Sequence, residues 1–184
     1  MNSVANVSVG KPKVGGAIYR APITNTLLLP TDASTALDAA FKNLGFISAD
    51  GVTNSSGGSA SNIKAWGGET VYTTHSDSAD TFKFLAIEAL NTEVLKAFYG
   101  DNNVTGALPT GITIDVNDDD PENFAWVIDM VLRDNVLKRV VLPNAAVTVR
   151  GDVVYRDNEI IGYPITLTAY PDSSGDTHHE YIVA

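Results

Sequence analysis

Asp115, Asn117 and Asp119 place oxygen ligands at the first, third and fifth positions of a calcium loop. The sixth position, where a sharp turn demands glycine, is Asp120, and the twelfth, where a bidentate glutamate belongs, is Trp126. The stretch therefore reads as an acidic turn ended by Pro121. His75 and the pair His178-His179 are the only imidazoles, and no His-Glu-x-x-His pattern accompanies them. Glu180 beside the pair stands near the carboxyl end. A serine nucleophile needs a base and an acid that orients it, but the Gly-x-Ser-x-Gly elbow is absent. Ser55-Ser56-Gly57-Gly58 lacks the lysine of a phosphate-binding loop. The absence of cysteine excludes disulfides, thiolate metal sites and a cysteine nucleophile together. Asn6-Val7-Ser8, Asn54-Ser55-Ser56 and Asn103-Val104-Thr105 match the glycosylation pattern, without a secretory segment to make them accessible to it. No enzyme, metal or cofactor is expected from these residues.

The elements that hold those residues must fit in 184 residues, enough for one domain, here 1–184. A 44% hydrophobic and 18% charged composition is that of a folded globule. No stretch approaches the roughly 20 apolar residues that span a bilayer. Twelve basic against 22 acidic residues give a charge of −10. Lys138-Arg139 is the only adjacent basic pair, so tight wrapping of nucleic acid is not expected.

Residues 1–10 lack a helical period and read as an extended arm. Gly15-Gly16 opens a strand through Ile18 and Tyr19 to Pro22. In Pro30–Gly51, Ala33, Leu37, Ala40, Phe41 and Leu44 share one face at helical spacing. Asp32 is placed as the N-cap and Gly45 as the C-cap, before a strand at Phe46-Ile47 and an Asp50-Gly51 turn. Residues 49–62 are Ser, Gly, Asn and Ala with little to bury, so a flexible loop is expected. Ile63–Thr74 is a strand region bent at Gly67-Gly68. Thr81–Leu90 alternates with apolar residues on both faces. Asn91 then caps a second helix that ends at Gly100, with Glu93 at its positive end and Leu90 and Leu95 spaced as a staple.

The remainder is mostly strand. Phe124, Trp126, Ile128, Met130 and Leu132 form one apolar face, with Asp129 on the other. Asp134-Asn135 turns into Val136–Leu142, and Pro143 ends that strand. Asp157-Asn158 turns a further hairpin, from Val153–Tyr155 into Ile160–Thr168. Many short strands with two short helices predict a mainly β fold, a β-sandwich or barrel.

Pro30–Gly51, FKFLAIEALNTEVLKAFYG (Phe82–Gly100) and GYPITLTAYPD (Gly162–Asp172), in this order, resemble bacteriophage tail tube proteins, also called major tail proteins. The resemblance runs from about Gly15 to Tyr181. It implies a β-sandwich flanked by helix, a homo-oligomer of hexameric rings, and rings stacked into the tube through which genomic DNA leaves the capsid. The expected partners are further copies of the chain and other tail proteins, and the expected location is the virion tail, assembled in the host cytoplasm. No decoration domain is expected after the tube domain. By position, the arm (Asn2, Val4, Val7, Val9) and the loop (Asp50, Asn54, Ser56, Asn62) would bridge subunits and rings. The acidic surplus suggests carboxylates facing the lumen, with Asp77, Asp80, Glu88 and Asp129 as candidates. A tube of a bacterial secretion or phage-derived injection system fits the same resemblance. From another class, a β-sandwich carbohydrate-binding module would use Tyr163, Tyr170, Trp66 and Trp126 as a stacking platform. A hydrolase is a third reading, with no motif behind it.

Overall fold

A computed structural model describes residues 2–76 and 79–184. The chain is mainly β. After a 3-10 turn at Val4–Asn6, with others later at Asp101–Asn103 and Arg133–Asn135, come β1 (Lys11–Pro12), β2 (Ile18–Pro22), β3 (Lys42–Asn43) and β4 (Ile47–Ser55). β5 (Ser59–Lys64), β6 (Thr70–Ser76) and β7 (Asp80–Ala86) lead to the one α-helix among the described residues, α1 (Thr92–Tyr99). β8 (Val104–Ala107), β9 (Gly111–Ile114), β10 (Asn123–Val131), β11 (Leu137–Arg150), β12 (Tyr163–Ala169) and β13 (His179–Val183) complete the order.

Nine strands form one antiparallel sheet in the order β3-β2-β10-β11-β12-β7-β4, with β1 beside β10 and β13 beside β11. The alternation that announced these strands is the alternation that buries them. Tyr163, Ile165, Leu167 and Ala169 of β12 face inward, as do Phe82, Phe84 and Ala86 of β7. β7 and β10 stand three steps apart in the sheet, roughly 14 Å if it were flat. Yet the rings of Phe84 and Trp126 lie 6.3 Å apart, so the sheet curls over itself and closes a main core. α1 caps that core with Val94, Leu95, Ala97 and Phe98. The opposite face of β2, β10 and β11 carries Ala21, Ala125, Val127 and Val141, covered by Phe41, Leu37 and Leu27.

Several expectations are corrected. Pro143 does not end a strand; β11 runs on for 14 residues. The register jumps from Trp126↔Leu142 to Phe124↔Ala145, so Pro143 sits in a bulge, where a residue without an N–H is tolerated. Residues 151–162 hold no strand, and the hairpin expected around Asp157-Asn158 is absent. Asp134 and Asn135 both adopt positive φ (58° and 61°), the geometry of the tight turn predicted there. Leu90 is exposed and staples nothing, although the Asn91 cap and Gly100 stop are as predicted.

The helix predicted from Asp32 to Leu44 does not form. Asp32 does cap its own loop, accepting from the amides of Ser34 (2.6 Å) and Thr35 (2.6 Å). A helix would then need the carbonyls of Asp32 and Thr35 to accept from Ala36 and Ala39. Both carbonyls are taken by Arg139 Nη1 instead, at 3.0 and 2.8 Å. The apolar residues singled out at helical spacing are buried or half-buried all the same, on an irregular segment.

Candidate assembly surfaces

β5 and β6 pair only with each other and project from the end of the main sheet. Ala65 N donates to Glu69 O (2.8 Å), and Gly67 and Gly68 take φ of 119° and 93° at the tip. The expected loop at 49–62 is thus corrected to the end of β4, a short turn and β5; Gly67-Gly68 is the turn of this hairpin, not a bend within one strand. Asp50 and Asn54 lie in β4, Ser56 in the turn, and Asn62 in β5, where it accepts from Thr73 Oγ1 (2.8 Å). Gly51, with φ 71°, sits in a bulge of β4 against β7 and not in a hairpin turn. Ile63 faces Tyr72 across the ladder, and both are exposed, as are Val71 and the fully exposed Trp66. An isolated two-stranded hairpin is marginal in water, and among the described residues this one has no core beneath it.

The amino-terminal arm is in part tied down. Lys11 and Pro12 pair with Val131 and Met130, and Ser8 Oγ accepts from the Arg133 amide at 2.7 Å. Asn2, Val4, Val7 and Val9 remain exposed, with Val7 and Val9 bordering an open groove against Val131 and Leu132. Further unpaired backbone lies along the outer edges of β4 and β13, neither of which has a second partner among the described residues.

The described carboxylates expected to face a lumen are engaged inside the subunit. Asp129 is only 3% exposed and receives Arg139 Nε and Nη2 at 2.6 and 2.8 Å. It was expected on a polar face, but both faces of β10 are covered. Asp80, 5% exposed, accepts from Asn54 Nδ2 (2.8 Å) and Thr177 Oγ1 (2.7 Å) and contacts His178 Nδ1 (2.5 Å). Glu88 accepts from the Phe46 amide and from Asn91 Nδ2, both at 2.9 Å. Its carboxylate fills the space a side chain would need at Gly45, which lies at φ 74°. Asp77 lies outside the described residues.

Other groups singled out by chemistry are dispersed. Asn117 spends its amide on a reciprocal pair with Asn103 (2.7 and 3.0 Å), which occupies the oxygen a calcium loop would use. Trp126 and Tyr163 are core residues and Trp66 is at the hairpin tip, so the four aromatics make no platform. His75 has no described side chain. The grouping missed from sequence is Asp172, Asp176 and His179, whose ligand atoms all lie within 4.8 Å of one another. It joins a loop to a strand start, and spacing alone does not show that. No helix among the described residues is long and apolar enough to cross a membrane.

A family model described as Phage tail tube protein matches residues 9–183. A search of curated proteins finds no match.

Proposed function

Because this chain belongs to the phage tail tube protein family, we propose that it polymerises as hexameric rings, stacked into the tube that conducts DNA into the host. The observation that carries this reading is the β5–β6 hairpin. It holds Ile63, Trp66, Val71 and Tyr72 exposed, with nothing among the described residues to cover them. Large apolar side chains exposed on both faces of one hairpin mark an interaction surface. Next to it, the open edge of β4 offers backbone donors and acceptors to a neighbouring copy. Head-to-tail use of two different edges closes a ring, and stacking through hairpin and arm extends it.

Asn2, Val4, Val7 and Val9 on the arm, with Asp50, Ser56 and Asn62 around the hairpin, remain the proposed bridging residues; Asn54 is better placed to hold the hairpin base through Asp80. Repulsion of DNA by the lumen is proposed for the subunit's charge of −10 as a whole. Asp129 adds little to it, being paired with Arg139, and Asp80 is buried, whereas Glu88 accepts from neutral donors and keeps its charge. The same surfaces would serve a secretion or injection tube. A sugar-binding module is disfavoured by the burial of Trp126 and Tyr163.

Negative-stain microscopy of the concentrated protein tests the reading. Rings and tubes are expected from the native chain. Trp66→Ser, a change at a side chain that contributes nothing to the subunit core, should leave the fold intact and abolish or shorten tubes. Native protein that stays monomeric at every concentration would overturn the proposal.

A further inference from the structure

We propose that Asp172, Asp176 and His179 form a binding site for one divalent transition-metal ion of the zinc type. The site lies between the end of β12 and the start of β13. Asp172 Oδ1 accepts from the amides of Ser174 (2.7 Å) and Asp176 (3.1 Å), and the Asp172 amide donates to Asp176 O (2.9 Å). Gly175, at φ 89°, makes the turn. These bonds occupy one carboxylate oxygen of Asp172 and leave Oδ2 facing His179 Nε2 at 3.2 Å. His179 is fixed from two sides, by its pairing with Val141 and by stacking of its ring with Tyr181 (6.4 Å between centroids).

Zinc binds imidazole nitrogen and carboxylate oxygen at about 2.0–2.2 Å, which sets neighbouring ligand atoms about 3.4 Å apart in a tetrahedron. The Asp172–His179 contact already has that separation, and Asp176 needs only a side-chain adjustment on an exposed loop. Two carboxylates and a neutral imidazole supply two negative charges for a divalent ion. The imidazole favours zinc, cobalt or nickel over calcium and magnesium, which take oxygen ligands. The fourth position stays open to water. His178 is not part of the site, because its Nδ1 is turned to Asp80.

The test uses untagged full-length protein, stripped with chelator and kept dispersed, so that it does not depend on tube formation. Calorimetric titration with zinc chloride should show one ion per chain, and cobalt(II) should develop the visible absorption of a nitrogen–oxygen site. Calcium should neither bind nor compete. His179→Ala and Asp172→Asn should lose the stoichiometric binding, with melting in chelator confirming that each is folded. His178→Ala should retain it. No binding by the native chain, binding unchanged in His179→Ala, or equal loss in His178→Ala would each overturn the site.

Discussion

Arg139 ties two neighbouring strands to the irregular segment that covers them. It is 1% exposed, makes a two-pronged ion pair with Asp129, and gives its remaining bonds to the backbone of residues 32 and 35. Removing one partner of a buried pair strands the other charge, which typically costs about 3–5 kcal/mol. Asp129→Asn should therefore lower the urea midpoint steeply. A paired Asp129→Leu, Arg139→Met variant should lose less than the single change, because no buried charge is left stranded; Lys13, the second cation at Asp129 (3.5 Å), reaches solvent. Tyr99 gives a second prediction at this scale. Burial, then the neighbouring phenols of Tyr155 and Tyr163, push its hydroxyl up to about 12. A group whose folded value exceeds its unfolded value of about 10 stabilises fully below that pH and loses the contribution as pH rises through the folded value. Thermal melts should fall between pH 10 and 12, and Tyr99→Phe should flatten the fall. The burial of Asp129 and Arg139 was not legible in the sequence. An acidic and a basic residue on alternating strands look like solvated positions until the register sets Asp129 opposite Arg139.

Among the elements, α1 was legible because its signals are local. Asn91 Oδ1 accepts from the Glu93 amide at 3.0 Å, and Gly100 ends the helix as the sequence requires. Asn91→Ala should cost about 1 kcal/mol, the usual value of a lost N-cap. Here the loss should be somewhat larger, because Asn91 Nδ2 also holds Glu88, which in turn accepts from Phe46. Chemical denaturation of Asn91→Ala beside Asn91→Asp would separate the cap from the Glu88 bond, since only the cap survives in Asp. The segment from Asp32 to Leu44 carried equally good local signals and was misread. Its spacing identified the buried residues, but a distant guanidinium took the carbonyls a helix needs. Hydrogen exchange should show this: Arg139→Met should accelerate the amides of residues 33–41 more than those in the middle of β10. The strand hairpin at 59–76 was legible only in part: residues 63–74 read as strand, but their pairing back onto residues 59–64 did not show. Its side chains are exposed, and composition alone does not distinguish a loop from such a ladder.

For the whole molecule, the question is whether assembly is held by charge or by apolar contact, and the two respond oppositely to salt. Each subunit carries −10, so bringing copies together at low ionic strength is opposed by mutual repulsion. The hairpin proposed to dock on the next ring has one lysine and one glutamate, Lys64 and Glu69, and so brings little net charge of its own. Its exposed surface is Ile63, Trp66, Val71 and Tyr72. Docking should then gain from burial of that surface, at about 25 cal/mol per Å² of apolar area, and be hindered by the long-range field of the bodies. Raising salt from 0.01 to 0.15 M shortens the screening length from about 30 to about 8 Å, which removes most of the hindrance and leaves the apolar contact intact. Light scattering of the native chain should therefore show faster and more complete polymerisation as sodium chloride rises over that range. Trp66→Ser should stay dispersed throughout. Tubes that dissolve as salt rises would mean that ion pairs between subunits dominate, and the hairpin would lose its assigned part in stacking.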